Sequence, residues 1–267
     1  MSIISLLSDF GHKDPYVAEM KAVILSINPE VRIVDITHEV EKFNIRMGAY
    51  ILASAAPYFP RNTVHVAVVD PGVGTQRRAI VVETHRSFYV GPDNGLLMLV
   101  AQNEHINNVY KIDNPKYMLP KGSKTFHGRD IFAPAATYLA AGIKPSDFGA
   151  AIDDYIVPDF AKPTQRNGEL LGEVLHVDDF GNIISNISAE DLKNADINEG
   201  NTLQVRLDDN IVRLRFCSAY GEVAVGNPLV LVGSSGFLEV AINQGSGSRT
   251  FGAKVGDTFC VSIVSSQ

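Results

Sequence analysis

The sequence has no tryptophan and two cysteines in 267 residues. Two thiols cannot staple a chain of this length, which excludes a disulfide scaffold. Cys217 and Cys260 both fall in strand-like runs and are expected to be buried free thiols. No uninterrupted apolar run approaches the ~18 residues a membrane helix needs. Met1–Asp9 carries no basic segment, and Asp9 cuts its apolar run short, so it reads as a first buried strand rather than a signal peptide. A cytoplasmic location is expected. There is no Lys/Arg run and the net charge is −7, so no basic face for nucleic acid is expected. Several catalytic signatures are also missing: Gly-x-x-x-x-Gly-Lys-Ser/Thr, His-x-His, His-Glu-x-x-His and Gly-x-Ser-x-Gly. What is there is ordinary globular composition, 45% hydrophobic and 20% charged, enough to bury a core and offset ordering entropy.

The first 160 residues alternate strand and helix signals. Short apolar runs at Ile3–Leu7, Val31–Ile36, Val64–Val69, Ala79–Glu83, Ser87–Val90 and Asn108–Ile112 are expected strands. Helices are expected from Asp14-Pro15 to Ile27, over Phe43–Ala56 and Leu96–Ala101, and from Asp130 as cap to Ala141. This alternation predicts an α/β unit, a mainly parallel sheet with flanking helices. Residues 161–168 are polar and contain Pro163 and Gly168, which reads as a linker. From 169 to 267 strand patterns dominate: Leu171–Val177, Ile183–Ile187, Thr202–Leu207, Ile211–Phe216, Pro228–Val232, Phe237–Ile242 and Thr258–Val264. Asp208-Asp209-Asn210 reads as a hairpin turn, and Ser188-Ala189-Glu190-Asp191 as the cap of one short helix. A small C-terminal β-barrel or sandwich follows.

In an open parallel sheet, ligands bind beyond the carboxyl ends of the strands. Here those ends carry acids and glycines: Asp9, Asp35, Asp70 and Asp93, with Gly72-Val73-Gly74 after the third strand. Three readings stay open at this point. The glycine loop could approach a phosphate, or simply another strand. Asp9 could accept two hydrogen bonds from a ribose diol, since a carboxylate has two acceptor oxygens. The four aspartates could instead supply oxygen ligands to Mg²⁺. Of the seven histidines, His127 stands out, because it precedes a predicted helix and has Gly128 beside it. Positive potential at a helix start keeps an imidazole neutral and able to take a proton. Gly233-Ser234-Ser235-Gly236, between two strands, suits a carboxylate pocket or a plain turn.

Six segments occur in one order: Ser8-Asp9-Phe10-Gly11, Asp70-Pro71-Gly72-Val73-Gly74-Thr75, Gly91-Pro92-Asp93-Asn94-Gly95, Phe126-His127-Gly128-Arg129-Asp130, Asp178-Asp179-Phe180-Gly181-Asn182 and Ser234-Ser235-Gly236. Together they resemble the S-adenosyl-L-methionine (SAM) hydroxide adenosyltransferases, the SAM hydrolases related to fluorinase and chlorinase. The resemblance implies hydrolysis of SAM to adenosine and L-methionine by attack of water or hydroxide at the ribose C5′, with no metal or cofactor. It implies a homotrimer, with sites between the N-terminal domain of one subunit and the C-terminal β-barrel of the next. By the same resemblance Asp70, Arg77 and His127 handle the water, and Asp9 binds the ribose hydroxyls, flanked by Phe126 and Gly128. Asp178 faces the methionine ammonium, Asn182 reads the adenine edge, and Ser234 contacts the methionine carboxylate.

This sequence departs from the halogenase pattern in three places. Gly128 replaces a serine, the loop before Asn94-Gly95-Leu96 is absent, and Ser235 stands where that pattern has arginine. The first two favour water over halide. The remaining alternatives are a Mg²⁺-dependent hydrolase built on the aspartates, a SAM halogenase and a non-catalytic SAM or adenosine sensor.

Overall fold

A computed structural model describes residues 2–120 and 122–264. The chain divides into two compact units, Met1–Pro158 and Asp159–Gln267. The first contains strands β1 (Ile3–Ser8), β2 (Arg32–Thr37), β3 (Val64–Val68), β4 (Ala79–Thr84), β5 (Phe88–Pro92) and β6 (Ile106–Lys111). They form one sheet in the order β2-β1-β3-β5-β4-β6. β1, β2, β3 and β5 run parallel, and β4 lies antiparallel between β5 and β6. The sheet is therefore mixed but mostly parallel, with helices on both faces.

Helices α1 (Tyr16–Ile27) and α4 (Ala133–Ala140) pack together, and so do α2 (Ile45–Ala55) and α3 (Met98–Asn103). The strand pleat sorts side chains between the two faces. Ile4, Leu6, Val64 and Val66 join Met20, Ile24 and Phe132 in one core. The intervening Ser5 and His65 are fully buried on the opposite face, where Ser5 Oγ and His65 Nδ1 lie 2.7 Å apart. The His65 ring stacks on Tyr89, and burial pushes its pKa down to about 3.

Helix starts differ from the sequence reading by one or two residues. Asp14 does not cap α1, which starts after Pro15 without a side-chain cap. Phe43 takes a positive φ of 65°, and Asn44 caps α2 by accepting from the Met47 N–H. Asp130 is no cap either. One π-helical turn, Gly128–Phe132, begins ahead of it and runs into α4. The buried Asp130 carboxylate is taken up by the Ser123 N–H and the Arg129 guanidinium, which leaves it nothing for a helix end.

The second unit holds β7 (Thr164–Arg166), β8 (Glu169–Val177), β9 (Ile183–Ser188), β10 (Thr202–Leu207), β11 (Asn210–Arg215), β12 (Pro228–Val232), β13 (Phe237–Ile242) and β14 (Thr258–Ile263). Seven of them run antiparallel in the order β11-β10-β14-β8-β9-β13-β12, and a bridge from Phe216 to Val230 nearly closes the barrel. β7 lies in the stretch expected as a linker and pairs with β8. The core is filled by Ile183, Leu203, Val205, Val240 and Phe259. Leu207 pairs with Asn210 across the two-residue turn Asp208-Asp209, with Asp208 at φ 48°. Ser188 and Asp191 form a reciprocal capping box on α5 (Ala189–Asn194). Cys217 and Cys260 are buried and unpaired. Among the described residues no helix is long and apolar enough to cross a membrane.

Candidate active site

β1 leads through α1 to β2 on one side, whereas β3 pairs with β1 on the other. The chains leaving β1 and β3 therefore diverge, and such a switch point opens a crevice at the carboxyl ends of the strands. A cleft of about 430 Å³ lies there, lined by residues that include Asp9, Phe10, Asp70, Phe126, His127 and Gly128.

On one wall Asp70, Arg77 and His127 interlock. Arg77 Nε lies 3.0 Å from both Asp70 oxygens, and a terminal nitrogen donates to Asp70 Oδ2 at 2.5 Å. The same terminal nitrogen lies 2.7 Å from His127 Nδ1. A guanidinium has donors only, so Nδ1 must be the acceptor and the ring proton sits on Nε2. The Asp70 and Arg77 side chains are only 5% and 9% exposed. Burial first, then the Arg77 charge, lowers the His127 pKa below its ordinary value, against the opposing pull of Asp70 and Asp130. With Nδ1 accepting from Arg77, the imidazole in this arrangement is neutral.

The glycine loop makes this arrangement possible. Gly74 has φ 78°, and a Cβ there would run into the backbone oxygen of Lys124. The Asp70–Arg77 loop thus lies directly against the segment that carries His127. The backbone that Gly72-Val73-Gly74 approaches is the bend at Lys124, which is not a strand.

Asp9 is 6% exposed and accepts from the Phe43 N–H at 2.9 Å, while Lys42 Nζ donates to its carbonyl oxygen. Phe10, Tyr16 and Phe126 pack edge-to-face or tilted with ring centroids 5.1–5.7 Å apart. Gly128 is wedged beneath them. An added Cβ would lie 3.1 Å from the Phe126 ring, 3.2 Å from Met20 Sδ and 3.4 Å from the Phe10 ring. A side chain at 128 would require these neighbours to give by a few tenths of an ångström.

The C-terminal unit presents a different cluster. Asp178 Oδ1 accepts from the N–H groups of Phe180 at 3.0 Å and Asn182 at 2.8 Å, and Oδ2 accepts from Asn182 Nδ2 at 2.9 Å. Asp178 and Asn182 are thus bound to each other. This leaves one Asp178 acceptor site and the Asn182 side-chain oxygen for a ligand. Phe180 between them is 80% exposed. Ser234 lies on the exposed turn joining β12 and β13, which is closed by Gly236 N–H to the Gly233 carbonyl at 2.9 Å.

The four-aspartate magnesium reading fails on geometry. Asp35 pairs with Lys21 and His38, away from the cleft lining. Asp93 is 2% exposed and is taken up by Arg78 and the Ile156 N–H. Only Asp9 and Asp70 of the four line the cleft. Among the described residues no three His, Cys, Asp or Glu side chains converge on a position for a metal ion. Sequence reasoning missed Tyr16, Lys42 and Phe43 as cleft residues. Tyr16 opens a helix and reads as core. Lys42-Phe43 reads as a helix start, and nothing in its spacing signals the positive φ that turns it toward Asp9.

Residues 4–149 match the SAM hydroxide adenosyltransferase N-terminal domain, and residues 172–260 the C-terminal domain. The chain is 38% identical to the (R)-S-adenosyl-L-methionine hydrolase of Thermus thermophilus, over 96% of this chain and 98% of that protein. It is 28% identical to a fluorinase of an Actinoplanes strain, over 97% of each. A crystal structure of an uncharacterized conserved protein from Thermotoga maritima superimposes with a TM-score of 0.84 at 40% identity, covering 97% of this chain and 99% of that one.

Proposed function

The chain belongs to the SAM hydroxide adenosyltransferase family, and from that premise we propose that its N-terminal cleft holds the adenosyl group of SAM while Asp70, Arg77 and His127 deliver the attacking water. The interlocked geometry of these three side chains carries the proposal. The activity is hydrolysis of SAM to adenosine and L-methionine.

In the resting structure the acceptor nitrogen of His127 is occupied by Arg77. Water enters between the two, accepting from the guanidinium and donating to Nδ1. Arg77 stays charged and favours hydroxide character, since a guanidinium does not give up its proton in a protein. Asp70 fixes it in place through a charge-assisted pair. The oxygen–C5′ bond forms as the C5′–sulfur bond breaks, and the bonding pair leaves on sulfur as the neutral thioether of methionine. The water proton passes to His127 and then to solvent. A neutral leaving group needs no metal to stabilise it. Alignment of oxygen, carbon and sulfur contributes part of the ~7–11 kcal/mol that good positioning can give.

Asp9 accepts the two ribose hydroxyls, with Phe126 and Gly128 against the sugar. Asp178, Asn182 and Ser234 take the ammonium, the adenine edge and the carboxylate. The molecule is a homotrimer, one subunit's cleft being completed by the next subunit's C-terminal loop. In support, Phe43 and Phe180 are large apolar side chains 66% and 80% exposed in the single chain. A monomer by light scattering would remove the shared site.

Water rather than halide is favoured by Gly128, which offers no hydroxyl and is crowded by Phe126, Met20 and Phe10. The relatives' name specifies an R centre. Since L already fixes the α-carbon, that centre is the pyramidal sulfonium. Separate incubations with the two sulfonium epimers test this: faster release of adenosine from the R epimer is expected, and equal rates would overturn the preference.

A further inference from the structure

Behind Asp9 the structure buries a second chain of polar side chains that takes no part in the water-handling relay. Ser8 is fully buried and His38 is 1% exposed. Ser8 Oγ lies 2.7 Å from His38 Nδ1, and His38 Nε2 lies 3.3 Å from Asp35 Oδ1. Asp35 is in turn paired with Lys21 at 2.5 Å. The two ends of the chain favour one direction. The Phe10 N–H donates to Ser8 Oγ at 3.3 Å, so the hydroxyl proton is free to point at Nδ1. The ring proton then sits on Nε2, on the side of the Asp35 carboxylate, whose charge favours it there without a formed hydrogen bond. Burial, the largest influence, lowers the His38 pKa, against the opposing pull of Asp35.

The backbone is tied in the same way. The Gly11 N–H donates to the His38 carbonyl at 2.7 Å, and the Val40 N–H to the Ser8 carbonyl at 3.3 Å. Asp9 therefore sits between two residues, Ser8 and Phe10, that are both anchored on one hydroxyl. Ser8 is too buried to act as a nucleophile, so this Ser-His-Asp order serves geometry.

We propose that His38 is a positioning residue of the cleft: through Ser8 it locks the Ser8–Phe10 peptide so that the Asp9 carboxylate meets both ribose hydroxyls together. The proposal rests on the reading of Asp9 as the ribose-binding acid.

The experiment is calorimetric titration of adenosine and 2′,3′-dideoxyadenosine into the wild-type protein and the variants Asp9→Asn, Ser8→Ala, His38→Ala and His38→Asn. The wild type should prefer adenosine by about tenfold or more, the scale of one hydrogen bond to a charged group. His38→Ala and Ser8→Ala should lose most of that preference while binding the dideoxy compound as before. His38→Asn, whose side-chain oxygen can replace Nδ1, should restore it. If His38→Ala fails to fold, Ser8→Ala, which removes one buried hydroxyl, carries the test alone. Loss of the preference in Asp9→Asn together with its retention in folded Ser8→Ala and His38→Ala overturns the role of His38 and leaves Asp9 standing. No preference in the wild type overturns the reading of Asp9 and this proposal with it.

Discussion

In the N-terminal cleft the chemistry-bearing groups are held across two segments: Arg77 reaches Asp70 within its own loop and His127 fifty positions on. In the C-terminal loop Asp178 is held by Phe180 and Asn182, two and four residues ahead. The first arrangement depends on two segments meeting and is buried. The second is a self-contained turn with an exposed aromatic at its tip. A group that must hold a reacting atom in line needs the stiffness of the first. On the proposed assignment, the group that only has to meet a flexible amino-acid tail is presented by the second.

Substitutions should separate the two regions. Replacing His127 with Ala should cut kcat by about 10²–10⁴, the usual share of general acid–base catalysis, with adenosine affinity little changed. Asp70→Asn should act similarly and also lower stability, because it leaves the buried Arg77 charge unpaired, a loss of about 3–5 kcal/mol in a chemical melt. Asp178→Asn should instead raise KM for SAM by about tenfold to a hundredfold, from ~1.5–3 kcal/mol of charged hydrogen bonding, with kcat much less affected. If Asp178→Asn lowers kcat as far as His127→Ala, the division of labour is wrong.

The pH dependence sharpens the comparison further. In the proposed role His127 must be neutral to accept a proton, and its pKa is lowered, so activity should persist below the ordinary histidine value of about 6.5 before an acid limb appears in kcat/KM. An acid limb above that value would contradict the burial and Arg77 effects.

A smaller effect concerns stability. His65 has its pKa pushed to about 3 when folded and near 6.5 when unfolded. Between these values the unfolded chain binds the extra proton. Stability should therefore fall as pH drops from about 6.5 toward 3, by at most about 1.4 kcal/mol per unit from this group. Urea midpoints at two pH values within that window read it directly.

The same contrast explains what could be read from the sequence. The strands other than β7, the Ser188 capping box and the Asp208-Asp209 turn were legible because each depends on neighbours a few residues away. The Asp178–Asn182 loop was legible as a motif for the same reason. The ordered motifs also brought Asp9, Asp70, Arg77 and His127 forward together. Their mutual geometry was not legible. Nothing in the order of residues says that Arg77 occupies Nδ1 of His127, or that Asp130 is spent on Arg129 and Ser123 instead of a helix end. Asp35 and Asp93 misled because an acid after a strand looks alike whether it faces a ligand or an arginine. The buried Ser8–His38 contact joins two strand ends and leaves no local trace.

The most direct test of the account is incubation of EDTA-treated protein with SAM in chloride-free H₂¹⁸O, followed by mass spectrometry of the products. The account predicts equal release of adenosine and methionine, with one ¹⁸O in the 5′-hydroxyl of adenosine and none in methionine. Adenosine released without the label, or no adenosine at all and turnover to a 5′-halo-5′-deoxyadenosine only when a halide is added, would contradict water delivery by Asp70, Arg77 and His127.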